Sequence, residues 1–235
     1  MPEQSPSQRL PIVVLISGSG SNLQALIDAV ANGALNVDIR AVISNRPEAK
    51  GLQRARDAGL HAEALDHKNF QSREAFDQAL QQRIDSFAPK LVVLAGFMRL
   101  LTDDFVEHYL GRMLNIHPSL LPAYTGLNTH QRVLDAGEKQ HGASVHFVTA
   151  ELDGGPLILQ ARLNVQPDES SESLAARVLE KEHRIYPLAV QWFAEGRLQL
   201  IDQHAWFDGK ALTQPLQFEA LTAGNGGTAQ QDPSP

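Results

Sequence analysis

The sequence contains no cysteine, which excludes disulfides, thiolate metal sites, cysteine-ligated iron–sulfur clusters and a cysteine nucleophile. It also lacks an excess of basic residues. Lys and Arg number 20 against 27 Asp and Glu, a net charge of −7. A general nucleic-acid binder needs a basic stripe to neutralise phosphates, so no nucleic-acid partner is expected. Long apolar runs are missing too. Pro11–Ile16 and Leu91–Met98 are the longest, far short of the roughly 20 residues that span a bilayer. The N-terminal MPEQSPSQRL has neither the basic nor the apolar region of a signal peptide. The expectation is a cytoplasmic protein with no membrane partner.

What is present is an ordinary globular balance, 43% hydrophobic and 20% charged. Residues 1–10, rich in Pro, Ser and Gln, and residues 219–235, rich in Gly, read as disordered tails that cannot bury enough surface to offset ordering. One domain is expected over 11–218. Its first half alternates strand and helix signals: apolar runs at Ile12–Ile16, Val37–Ser44, Ala62–Leu65 and Leu91–Ala95, with helical spacing after Gly20, over Gly51–Ala58 and over Arg73–Phe87. That pattern predicts an open, mostly parallel α/β sheet with helices on both faces. Further on come strands at Met113–Ile116, Ala143–Val148 and Leu157–Val165, a long helix over Ser173–Glu195 and a last strand at Leu198–Ile201. Strands without intervening helices predict a mixed extension of the sheet.

Three constellations could carry chemistry. Gly18-Ser19-Gly20-Ser21-Asn22 follows a buried strand and opens a helix, whose unpaired N–H groups and dipole suit an anion. Leu23 stands where the dinucleotide fingerprint needs its third glycine, and no lysine supplies a P-loop, so a single phosphate fits better than a pyrophosphate. On the residues alone, a tight turn with a serine cap fits equally well. Asn115 and His117 sit two apart on a strand and share a face, placing an amide donor beside an imidazole for oxyanion stabilisation and proton movement. For an isolated N-x-H, a satisfied, partly buried pair is the better reading. Asp153 lies in Glu151-Leu152-Asp153-Gly154-Gly155-Pro156, in isolation a solvated turn. If it reached His117 it would orient the ring and favour its charged form. Arg73, Glu182 and His67 read as surface residues, and His146 as packing.

Taken together, I-S-G-S-G-S-N-L, V-V-L-A-G-F-M-R-L-L, N-I-H-P-S-L-L-P, H-G-A-S-V-H-F-V and E-L-D-G-G-P closely resemble the phosphoribosylglycinamide formyltransferases, in that family's order and over essentially residues 12–210. The resemblance implies a Rossmann-like formyltransferase fold and 10-formyltetrahydrofolate as co-substrate. It implies that Gly20, Ser21 and Asn22 hold the phosphate of glycinamide ribonucleotide and that Glu182 contacts its ribose. It implies that Arg73, Met98, Arg99, Leu100, Leu101 and Asn115 bind the folate, and that Asn115, His117 and Asp153 are catalytic. Residues 119–137 correspond to a mobile loop near the site, with Ala123 and Asn128 where Lys and His are expected. The implied enzyme works as a monomer or homodimer, needs no metal because donor and amine are already reactive, and serves purine biosynthesis.

Two relatives within the wider superfamily compete with this reading. A formyltetrahydrofolate hydrolase shares the trio but carries an extra N-terminal domain, which ten tail residues are not expected to supply. A transferase acting on charged tRNA carries a C-terminal nucleic-acid-binding domain and a different charge balance. From another class, a catalytically silent phosphate sensor would keep the glycine turn and lose the trio, which is intact.

Overall fold

The computed structural model describes residues 9–224. Residues 12–16 form most of strand β1 (Leu10–Ile16), up to its C-terminal end. Ile12, Val14 and Ile16 enter one core layer, Val13 and Leu15 the other. A strand covered on both faces has no polar side to show, which is why it reads as an unbroken apolar run. The chain continues through helix α1 (Ser21–Ala31), β2 (Val37–Ser44), α2 (Lys50–Asp57), β3 (Ala62–Ala64), α3 (Arg73–Asp85) and β4 (Leu91–Leu94). Then come α4 (Asp103–His108), β5 (Met113–His117), α5 (Thr129–Asp135), β6 (Gln140–Phe147), β7 (Leu157–Asn164) and α6 (Ser171–Ala194). The described chain closes with β8 (Leu198–Ile201), β9 (His204–Phe207), β10 (Lys210–Ala211), β11 (Leu216–Gln217) and α7 (Phe218–Gly224).

The central sheet has eight strands in the order β11-β7-β6-β5-β4-β1-β2-β3. From β3 to β5 all neighbours are parallel, β6 runs antiparallel to β5 and β7, and β11 rejoins in parallel. This is the expected mostly parallel sheet with a mixed extension. The order reverses between β1 and β4, because the chain builds outward to β3 before returning. At such a switch point the two following loops diverge and leave a crevice at the carboxyl ends of the strands.

Four features depart from the sequence reading. Leu198–Ile201 is no last strand of the main sheet; it starts a separate antiparallel sheet, β10-β9-β8. Its turns place Asp202 and Gln203, then Asp208 and Gly209, at positive φ, the paired left-handed geometry that suits tight hairpins. Asp208-Gly209 is a sequence signal for the second of them. Helix α4 was not expected from the sequence; the Thr102 hydroxyl caps it by accepting the Phe105 N–H, with Asp103 and Asp104 in the first turn. The supposed loop over 119–137 contains α5. Residues 219–224, placed in a tail by composition, are helical, and Glu219 pairs with Lys181 at 2.9 Å. Residues 1–8 and 225–235 lie outside the described residues.

Candidate active site

The turn after β1 is built by glycine, not by a serine cap. Gly20 takes a left-handed φ of 70° at the N-cap of α1, and no side chain caps the helix there. Gly20 also packs on α2, where an added Cβ would lie 2.5 Å from Gly51 Cα. Around Gly18 a Cβ meets open space. Gly20→Ala is therefore expected to lower the unfolding free energy by at least about 2 kcal/mol, from strain plus overlap, while Gly18→Ala stays within about 0.5 kcal/mol. Urea denaturation checks this, and equal midpoints for the two variants would refute it. A Gly20 substitution thus cannot report phosphate recognition on its own.

Arg54 braces the same turn, its Nε donating to Ser19 O at 2.8 Å; sequence reading gave it no part. Asn22 is buried, and its Nδ2 donates to Glu182 Oε2 at 2.6 Å. Its side-chain nitrogen therefore faces the carboxylate, leaving backbone amides for an anion. Asn22 Oδ1 is buried without a protein partner among the described residues. Glu182, read from sequence as a surface residue, is 7% exposed. Burial pushes its carboxyl up to about 7, against the smaller lowering pull of the Asn22 hydrogen bond.

Asn115 and His117 project from the end of β5, and Pro118 stops the strand. Asn115 lies across from His146 of β6, and its Nδ2 donates to His146 Nε2 at 3.1 Å. Burial pulls His146 down to about 4, so the ring is neutral, with its Nδ1–H on Phe147 O at 2.8 Å. His146 thus aims one amide hydrogen of Asn115 and leaves the other for the crevice, a role that strand alternation alone did not reveal. His117 Nε2–H donates to Tyr124 O at 2.9 Å, and its Nδ1 lies 3.4 Å from Asp153 Oδ2. Both neighbours are hydrogen-bond acceptors, so the ring is held at both of its nitrogen edges. Asp153 is oriented in turn by the Gly126 N–H at 2.8 Å. Tyr124 and Gly126 both come from the 119–137 segment, which therefore completes the trio. The chemistry available is that of an amide donor and an imidazole backed by a carboxylate, the carboxylate coming from Asp153, far along the chain from His117.

Gly96–Leu101 leaves β4 on the other side of the crevice. Arg99 lies over the Phe76 ring of α3, 4.8 Å from its centroid. Met98 and Leu100 are exposed. Arg73 heads α3, exposed and paired only loosely with Glu74 at 3.8 Å. A cavity of about 880 Å³ is lined by Asp153 and Gly154 but by neither Gly20 nor His117.

Residues 10–190 match the formyl transferase family model. The chain belongs to the formyl transferase family. Phosphoribosylglycinamide formyltransferase of Escherichia coli strain K12 is 56% identical over 201 residues, covering 86% of this chain and 95% of the relative. The Haemophilus influenzae enzyme of the same name is 49% identical with the same coverage. A solved phosphoribosylglycinamide formyltransferase from Coxiella burnetii superimposes with a TM-score of 0.86 at 55% identity, over 89% of this chain and 99% of that one. In this formyltransferase the fold brings together Asn115, His117 and Asp153, and separately Gly20, Ser21, Asn22 and Glu182. Arg73 heads α3 and Met98, Arg99, Leu100 and Leu101 follow β4.

Proposed function

We propose that this chain transfers the formyl group of 10-formyltetrahydrofolate to the amine of glycinamide ribonucleotide, yielding formylglycinamide ribonucleotide and tetrahydrofolate. The observation that carries this reading is that His117 meets Asp153 and, through His146, Asn115 at the carboxyl end of β5, beside the strands that run into the glycine turn and into Gly96–Leu101. The phosphate would meet the backbone amides at the start of α1, with Glu182 toward the ribose. The folate would lie along Met98–Leu101, with Arg73 toward its acidic end.

The amine attacks the formyl carbon, and the carbonyl oxygen gains charge. The free Asn115 amide hydrogen would stabilise that oxygen and His117 would supply a proton for it, and such donors act mainly in the transition state. As the C–N10 bond breaks, the folate nitrogen takes up a proton and the new amide loses one, so no net proton is consumed. Asp153, 3.4 Å from His117 Nδ1, supports the ring through this exchange. The reading carries with it a cytoplasmic location and a monomeric or homodimeric enzyme; no helix among the described residues is long and apolar enough to cross a membrane.

The test follows the absorbance of folate product with and without glycinamide ribonucleotide. Turnover that requires the ribonucleotide is expected. Equal turnover without it would mean delivery of formyl to water and would overturn the transferase reading.

A further inference from the structure

The Gly96–Leu101 segment is flanked by two buried polar side chains that none of the roles above uses. Ser17, just past β1, is 4% exposed. Its Oγ accepts the Met98 N–H at 2.7 Å and donates to Asn45 Oδ1 at 2.5 Å. Asn45 is itself buried and is tied on to His67. The Ser17 N–H donates to Gly96 O at 3.1 Å. At the far end Asp77 of α3 is 1% exposed, and its Oδ2 accepts the Thr102 N–H at 2.6 Å. Its Oδ1 is buried without a partner among the described residues. Burying a carboxyl is costly even with Thr102 and the charges of Arg99 and Arg73 to offset it, so apolar packing alone would not place an acid there. Between these two points no described hydrogen bond engages the backbone of Arg99, Leu100 or Leu101.

We propose that Ser17 and Asp77 are positioning residues that clamp the two ends of this segment, so that the backbone groups of Arg99–Leu101 are held open toward the folate. The inference rests on the formyl-transfer reading. A clamped segment presents its amides and carbonyls at fixed positions, and a ligand then orders fewer groups on binding. Ser17 also immediately precedes the glycine turn, so the clamp references the folate side of the crevice to the nucleotide side.

The test compares Ser17→Ala, Asp77→Ala and Asp77→Asn with the wild-type chain, using tetrahydrofolate in titration calorimetry and steady-state kinetics with both substrates. Losing one clamp should raise the tetrahydrofolate Kd and the folate KM roughly tenfold, the scale of one buried hydrogen bond. The ribonucleotide KM and the kcat at saturating folate should stay within about twofold. Asp77→Asn keeps an acceptor for the Thr102 N–H and should recover most of the affinity. Ser170→Ala, which removes the α6 cap, is the control for lost stability and should leave the folate Kd unchanged. Either alanine variant is sufficient if the other does not fold. A folded alanine variant that binds tetrahydrofolate like wild type overturns the clamp, as does equal weakening of both substrates. Failure of the wild-type chain to bind tetrahydrofolate would instead refute the formyl-transfer reading.

Discussion

His117→Ala is expected to lower kcat by on the order of 10²–10³, the cost of removing one preorganised oxyanion donor, with both KM values changed little. The reason is geometric. The imidazole is fixed by the Tyr124 carbonyl at Nε2 and by Asp153 beside Nδ1, so it is held for the charge that develops and contributes little to ground-state binding. Asn115→Ala should fall in the same range, because His146 aligns its amide before substrate arrives. His146→Ala leaves the Asn115 donor present but unaligned, and should cost roughly tenfold. The two large losses should not multiply in the double variant, since both residues act on one transition state. Single-turnover kinetics on variants with unchanged circular dichroism would check the set. Near-native kcat in either alanine variant would remove that residue from the oxyanion assignment.

The second large effect concerns Glu182→Gln, and its sign depends on pH. In the unfolded chain the carboxyl titrates near 4.5, and in the fold burial raises it to about 7. Below pH 4.5 both states hold the proton and the group contributes no pH dependence. Between pH 4.5 and 7 the unfolded chain releases the proton while the fold retains it, so stability falls as pH rises. Above pH 7 the penalty is complete, about 3 kcal/mol for a shift of this size. Gln has no proton to lose and can still bond Asn22. The variant should therefore match wild type near pH 4.5, exceed its stability at pH 8 and show a flatter profile between. The gain should come with a higher ribonucleotide KM, which follows from the proposed contact of Glu182 with the ribose. Denaturant midpoints at several pH values decide it, and parallel profiles for the two proteins would show that Glu182 does not titrate in this window.

Much of the fold was legible because its signals are local. Strands β1, β2 and β4 are covered on both faces and so appear as apolar runs; α1 and α3 follow glycine or serine starts with helical spacing. The C-terminal sheet escaped because HAWF and KA are too short for periodicity to register, although Asp208-Gly209 marked one of its hairpins. Helix α5 escaped because Pro122, Gly126 and Asn128 dominate the segment around it, and Asn128 tolerates the left-handed backbone at its start.

The site divides differently. By themselves the residues placed a glycine turn at a helix start, equally readable as an anion site or a serine-capped turn, and an Asn–His pair on one strand face, since strand alternation and helix polarity need only neighbouring positions. They also established the order of motifs that marks the formyltransferases. Only the tertiary structure decided which distant groups meet. It placed Asp153 beside His117 across the β5–β6 edge and buried Glu182 on Asn22 across 160 positions of chain. It also bonded His146, read from sequence as packing, to Asn115, and tied Ser17 and Asp77, which the sequence did not single out, to the backbone of Met98 and Thr102. Such pairings depend on the strand order and on the reversal between β1 and β4, and burial and hydrogen bonding across those crossovers leave no trace in the spacing of the residues involved.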